Sequence, residues 1–236
     1  MIQNLLLGTR NRNKVAELLA MLKDLPVKIV TLMDFPEIGS VLEDGKTYHE
    51  NASKKALTFA RHTGIVTIAD DSGIEVDAIA GRPGVHSSRF AGDNATDEEN
   101  IDKLLRLMAG VEREKRIARF VCVIALARPS GEVDFIEGEL HGEIGFERCG
   151  ENGFGYDPVF IIPDLGKSLA QIGFEEKNRI SHRGKAMTKV RELLADIRGY
   201  LPASKASVEG EAPSGFAGGG GDVSPLKKLR GVAQPG

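Results

Sequence analysis

The chain predicts an α/β protein with a mixed β-sheet flanked by helices, and three observations carry this. Short apolar runs that read as buried strands alternate with amphipathic helical stretches. Residues 119–127 and 133–140 lie close enough in sequence to form an antiparallel hairpin in the middle of that alternation. Residues 65–69 (Ile-Val-Thr-Ile-Ala) carry no charge, as expected of a central strand covered on both faces.

Taken in order, Leu5, Leu6 and Leu7 form a first strand ending in a Gly8-Thr9 turn. A helix follows with Val15, Leu18, Leu19 and Leu22 on one face. Residues 48–62 form a second helix, with Tyr48, Ala52, Ala56, Phe59 and Ala60 inward and Lys54 and Arg61 outward. After the strand at 65–69, Thr96-Asp97-Glu98-Glu99 is a capping box opening a helix through Ile101, Leu104, Leu105 and Met108. The hairpin comes next, then a short strand at 158–162. Ser181 caps a last helix, with Ala186, Met187, Val190, Leu193, Leu194 and Ile197 inward and Gly199 as its stop. Residues 1–199 thus read as the folded domain. Residues 200–236 hold Gly218 to Gly221 and Pro213, Pro225 and Pro235, with few large apolar side chains, and read as a flexible tail. Lys227, Lys228 and Arg230 in that tail are either solvated or a weak tether to an acidic partner.

A net charge of -3 argues against a surface built for nucleic acid or anionic membrane. Two cysteines make a poor disulfide framework and suit a reducing compartment. The first residues lack the basic and apolar regions of a signal peptide, and no apolar run approaches the ~20 residues that span a bilayer. A cytoplasmic location is expected.

The chemistry concentrates at Asp70-Asp71-Ser72-Gly73, read as the close of the strand at 65–69. Adjacent carboxylates ionise together only at a cost unless a cation or hydrogen-bond donors face them. Cations gather where helix dipoles disfavour them, at Arg10, Arg12 and Lys14 and again at His182, Arg183 and Lys185. Either these are solvated turns and ion pairs, or an anion sits among them, phosphate being the usual one. Lys55 falls inside the apolar stripe of its helix, so it snorkels out or lines a pocket. Arg183 is aimed inward, as a buried ion pair or as a fork for a phosphate or purine edge. Phe154, flanked by Gly153 and Gly155, offers a ring for stacking a base, or simply a core side chain at a tight turn. Neither Gly45-Lys46-Thr47 nor Gly166-Lys167-Ser168 completes a P-loop, because Ser40 and Ile161 stand at the first glycine. No zinc spacing occurs, so oxygen ligands and Mg²⁺ fit best.

The chain resembles the inosine triphosphate pyrophosphatase family. The motifs are Thr9-x-Asn11-x-x-Lys14, Glu50-Asn51-Ala52 with Lys55, Ala69-Asp70-Asp71-Ser72-Gly73 and Pro83-Gly84-Val85-x-Ser87-x-Arg89. Gly153-Phe154-Gly155-Tyr156-Asp157-Pro158 and Glu176-Lys177 followed by Ser181-His182-Arg183 complete the series. The resemblance implies an elongated sheet with two lobes and a central cleft, usually in a homodimer. It implies Mg²⁺-dependent hydrolysis of ITP, dITP and XTP to the monophosphate and pyrophosphate. By similarity, Thr9, Arg10, Asn11, Arg12, Asn13, Lys14 and Lys55 hold the triphosphate, with Lys55 also aiding the chemistry. Asp71 is the general base, and Asp71, Asp70 and Glu43 hold the metal. Ser72, Phe154, Gly155, Tyr156, Asp157, Lys177, His182 and Arg183 form the nucleoside pocket. Arg10, Leu42 and His86 depart from the family pattern. A pyrophosphatase for modified pyrimidine nucleotides and a non-catalytic nucleotide-binding module are the alternatives.

Overall fold

The computed structural model describes residues 4–196. Strand β1 (Asn4–Leu7) lies between β2 (Lys28–Thr31) and β3 (Val66–Val76), parallel to both. The two-residue β4 (Arg82–Pro83) pairs with the far end of β3. From β3 the sheet continues antiparallel through β5 (Ile117–Ala127), β6 (Val133–Ile144), β7 (Phe160–Ile162) and β8 (Lys167–Ser168). The mixed sheet matches the expectation; β2, β4 and β8 are too short or too polar to stand out in sequence.

Among the described residues five helices flank it: α1 (Arg12–Leu22), α2 (Tyr48–Thr63), α3 (Asp97–Leu107), α4 (Phe174–Ile180) and α5 (His182–Asp196). Asn11 caps α1 by accepting from the backbone N–H groups of Asn13 and Lys14. Thr47 caps α2, and Gly64 ends it in the left-handed region at φ 69°. On one face α1 and α5 bury Leu18, Leu22, Met187 and Val190 against Leu5, Leu7, Ile68 and Ile124. On the other, the small residues Ala52, Ala56 and Ala60 let α2 approach Ala69, Val123 and Ala125 closely. A second core forms around the opposite ends of the long strands, where Ile74, Val76, Phe120 and Leu140 meet Ile101 and Leu104 of α3. β3, β5 and β6 thus run through two lobes.

Three expectations need correction. β3 does not close at Ala69: its register with β5 continues from Asp70↔Ile124 and Asp71↔Val123 to Val76↔Ala118. Ile74 and Val76 seed the second core, and neutralised carboxylates no longer interrupt a strand. The inward face of α1 is rotated from the apolar reading, since Leu19 is 41% exposed whereas Glu17 is 4% exposed. The segment at 158–162 begins as a 3₁₀ turn, Asp157–Val159, before β7. Ile197, Gly199 and the tail at 200–236 lie outside the described residues. Among the described residues no helix is long and apolar enough to cross a membrane.

The topology leaves a gap. β1 stops beside Ile68, where the Gly8 N–H donates to the Ile68 carbonyl at 2.7 Å, and β4 rejoins that edge of β3 only at Glu75. Residues 69–74 border a cleft between the lobes.

Candidate active site

The cleft encloses a cavity of about 330 Å³. Thr9, Arg10, Asn11 and Lys14 line one part with Glu43, Lys55, Asp71 and Ser72, while Phe154, Gly155, Tyr156, Asp157, Lys177, His182 and Arg183 line another. Arg12 and Asn13, expected there, are exposed and do not line it, because the first turn of α1 carries them outward. Lys185 is also elsewhere, donating to the Glu139 carbonyl on the surface.

The strand pleat sends Asp70 and Asp71 to opposite faces of β3, and each finds different partners. Asp70 Oδ2 accepts from Lys14 Nζ at 2.9 Å and from Arg183 Nη2 and Nε at 3.0 and 3.2 Å. Burial pushes its carboxyl up, but Lys14 and Arg183 outweigh this and hold it well below the usual range. Asp70 itself does not line the cavity, and its Oδ1 is buried with no hydrogen-bond partner. Asp71 does line it. Its Oδ2 accepts from Asn51 Nδ2 at 3.1 Å, and Oδ1 lies 3.4 Å from Lys55 Nζ. Burial pushes Asp71 up to about 6; Lys55 and Lys14 pull it down, and the neighbouring Glu43 carboxylate pushes it up again. Glu43 lies 3.2 Å from Lys55 and is held below its usual value, burial being outweighed by Lys55.

For Arg183 the ion-pair reading holds. It is buried in an ion-pair network and still borders the cavity. Its Nη1 meets Glu17 at 2.6 Å and its Nη2 donates to Ser72 Oγ at 2.9 Å. Lys177 meets Glu17 at 2.8 Å and Asp157 at 2.5 Å. Glu17, Asp70 and Asp157 thus balance Lys14, Lys177 and Arg183, which is what a buried set of charges requires. Glu17 was not among the expected site residues. Its signal was helical spacing, one turn beyond Lys14 and beside Leu18. Asn51 was also missed as a site residue, although it lies within the inward stripe of α2.

Phe154 receives Lys177 Nζ over its ring at 4.7 Å, with the Arg183 guanidinium at 5.7 Å. Gly155, at φ 59°, donates its N–H to Asp97 Oδ2 at 2.7 Å. Tyr156 is mainly structural: its ring joins the second core and its hydroxyl donates to the Ser87 carbonyl at 2.8 Å. Asp157 braces the turn by accepting from the Phe154 N–H at 2.9 Å. His182 stacks on Phe120 with centroids 4.6 Å apart, and its Nδ1 has no partner. Burial first, then Arg183 and Lys177, push its pKa well below the usual value, so the ring is neutral. It holds one donor and one acceptor nitrogen.

Among the described residues, no group of three or more His, Cys, Asp or Glu is gathered as a ready metal cage. Asp71 and Glu43 nevertheless flank Lys55 from two sides and line the cavity, whereas Asp70, expected beside them as a metal ligand, faces away from it into its ion pairs with Lys14 and Arg183. That set suits a hard cation that takes one or two carboxylates and completes its shell with water and phosphate.

Residues 5–193 match the Ham1 family. A dITP/XTP pyrophosphatase of Desulforamulus reducens is 49% identical over 190 residues, covering 80% of this chain and 94% of that protein. One from Geobacter sulfurreducens is 46% identical over 190 residues, covering 80% and 96%. A solved HAM1 protein from Coxiella burnetii superposes with a TM-score of 0.77 at 38% identity, covering 83% of this chain and all of that one (100%). The Ham1 protein of Staphylococcus aureus gives 0.73 at 37% identity, covering 84% and 100%. The chain belongs to the Ham1 family.

Proposed function

We propose that the chain is a nucleoside triphosphate pyrophosphatase that converts dITP, ITP and XTP to the monophosphate and pyrophosphate. The observation that carries this is Asp71, a cavity carboxyl held near 6 beside Lys55 and Glu43. A group titrating there is ionised at neutral pH yet basic enough to accept a proton. A module built only to bind phosphate gains nothing from such a carboxylate next to its anion. The dITP/XTP pyrophosphatase names carried by relatives nearly half identical agree with the purine substrate, against a pyrimidine one.

Asp71 takes a proton from a water whose oxygen attacks the α-phosphorus, and the bond to the bridging oxygen breaks to release pyrophosphate. Lys14 and Lys55 face the charge that grows on the leaving group. Thr9, Asn11 and Arg10 offer further donors to the triphosphate at the start of α1. Asp71 and Glu43 are the carboxylates that would hold Mg²⁺, which when bound supplies charge neutralisation and a more acidic water. Hypoxanthine and xanthine present a 6-keto acceptor, which donors on Arg183 and His182 satisfy; the 6-amino group of adenine leaves them unpaired. Each unpaired buried donor costs about 1–3 kcal/mol, enough for a large preference from two contacts.

The two free thiols, one buried at Cys122 and one partly buried at Cys149, suit a reducing cytoplasm. A homodimer belongs to the same reading and is checked by light scattering. Hydrolysis in ¹⁸O-labelled water tests the mechanism. The label should appear in the monophosphate; label in pyrophosphate would place the attack on the β-phosphorus and remove this reading.

A further inference from the structure

The cleft is bridged by a contact outside the charge network. Arg89, in the 3₁₀ turn Gly84–Arg89 after β4, donates from Nη2 to the backbone carbonyl of Glu43 at 2.9 Å. Glu43 belongs to the irregular stretch between Asp34 and α2, on the opposite side of the cleft, and its side chain points toward Lys55. Among the described residues no carboxylate lies within ion-pair distance of Arg89. A half-buried guanidinium is therefore spent on one neutral acceptor.

Little else fixes Glu43. Its neighbour Leu42 is 71% exposed, so no apolar anchor holds the stretch at that point. The ties on either side are the Arg10 guanidinium to the Ile38 carbonyl at 2.5 Å, the half-exposed Asp44–Lys54 ion pair at 2.5 Å, the Gly45 N–H to Asn51 Oδ1 at 2.8 Å and the Lys46 N–H to Glu50 Oε2 at 2.5 Å, all of them to α2 or the start of α1. The Asn51 amide also donates to Asp71, so the tie at Gly45 couples this stretch to the base. Arg89 supplies the tie to the Glu43 backbone itself, from the other lobe.

We infer that Arg89 is a positioning residue that acts through the Glu43 backbone, setting the carboxylate of Glu43 beside Asp71 and so completing the cation-binding end of the site. The inference rests on the reading of the site given above. It assigns Arg89 no contact with nucleotide. Loss of Arg89 should free the stretch, lower the affinity for a divalent cation and slow turnover, while nucleotide recognition at Phe154, Lys177 and His182 stays intact.

The test uses the full chain with Arg89→Ala and Arg89→Lys. Hydrogen exchange, read without substrate or metal, should show the Gly45 and Lys46 amides of Arg89→Ala losing protection by about tenfold or more, with β5 unchanged. Binding of Mn²⁺ with a non-hydrolysable α,β-methylene analogue of dITP, followed by loss of the free-ion paramagnetic signal, should weaken by about 10–100-fold, the usual range for losing an outer-shell support. kcat should fall by a similar factor, and KM should change less than roughly threefold. Arg89→Lys should recover part of each effect. Wild-type protection of Gly45 and Lys46 in Arg89→Ala overturns the inference, as does unchanged Mn²⁺ affinity. A wild-type protein that releases no pyrophosphate from dITP contradicts the proposed function instead, and the exchange measurement still decides the role of Arg89.

Discussion

Arg183 holds Asp70 from across the sheet. Two guanidinium nitrogens lie 3.0 and 3.2 Å from one carboxylate oxygen, with side chains 2% and 1% exposed. This contact explains how two adjacent aspartates share one site. Asp70 is consumed by Arg183 and Lys14 on one face of β3, which leaves Asp71 on the other face as the carboxyl whose proton affinity is raised.

Stability should therefore respond in opposite directions to the same change at neighbouring positions. Asp70→Asn strips a buried partner from Arg183 and Lys14 and should cost about 3–5 kcal/mol. Because the folded pKa of Asp70 is depressed, its contribution is present above the unfolded carboxylate value of about 3.9 and fades only as pH falls below it. Asp71 has a raised folded pKa, so its favourable contribution exists below about 4 and is lost as pH rises through about 6. Asp71→Asn should gain about 1–3 kcal/mol at pH 8, the gain shrinking below pH 6. Urea unfolding at pH 5 and pH 8 reads both; loss of stability in both variants at pH 8 would refute the division.

As a base, Asp71 must be ionised to work. The acid limb of kcat/KM should bend near pH 6, activity falling as pH drops. Asp71→Asn should lose turnover by about 10²–10⁴-fold while an unreactive dITP analogue still binds. Near-normal kcat in this variant would assign the base elsewhere.

Asn51 donates to the ionised form of Asp71, so its removal should raise the Asp71 pKa and move the acid limb to higher pH. The pH profile of Asn51→Ala checks this, and a limb moving to lower pH would contradict the assigned geometry.

The long strands, their hairpin and four of the five described helices were legible because apolar periodicity over long segments is a strong signal, whereas β2, β4, β8 and the seven-residue α4 are too short to carry one. Two misses bear on the site. The continuation of β3 was hidden because Asp70 and Asp71 look like a strand terminus until their partners, as far away in sequence as Arg183, are known. Glu17 was hidden because one acid on an apolar helix face reads as surface unless the pair of cations it serves is seen. Lys55, Asp71 and Arg183 could be singled out because each breaks a local rule that a structural role alone does not explain. Arg12 and Asn13 lie outside the cavity lining, and residue type near a helix start does not reveal which side chains turn outward.

Selectivity at the base should depend on His182. His182→Phe keeps the stack on Phe120 and removes both ring nitrogens, so the preference for ITP over ATP should narrow by about tenfold, equivalent to about 1.4 kcal/mol. An unchanged ratio in a parallel kcat/KM comparison would place base reading on other donors.

The central claim is tested most directly by product analysis of a nucleotide panel, with and without Mg²⁺. With Mg²⁺ present, dITP, ITP and XTP should each give one monophosphate and one pyrophosphate per turnover, with ATP far slower. Release of orthophosphate, or equal rates across the panel, would contradict it.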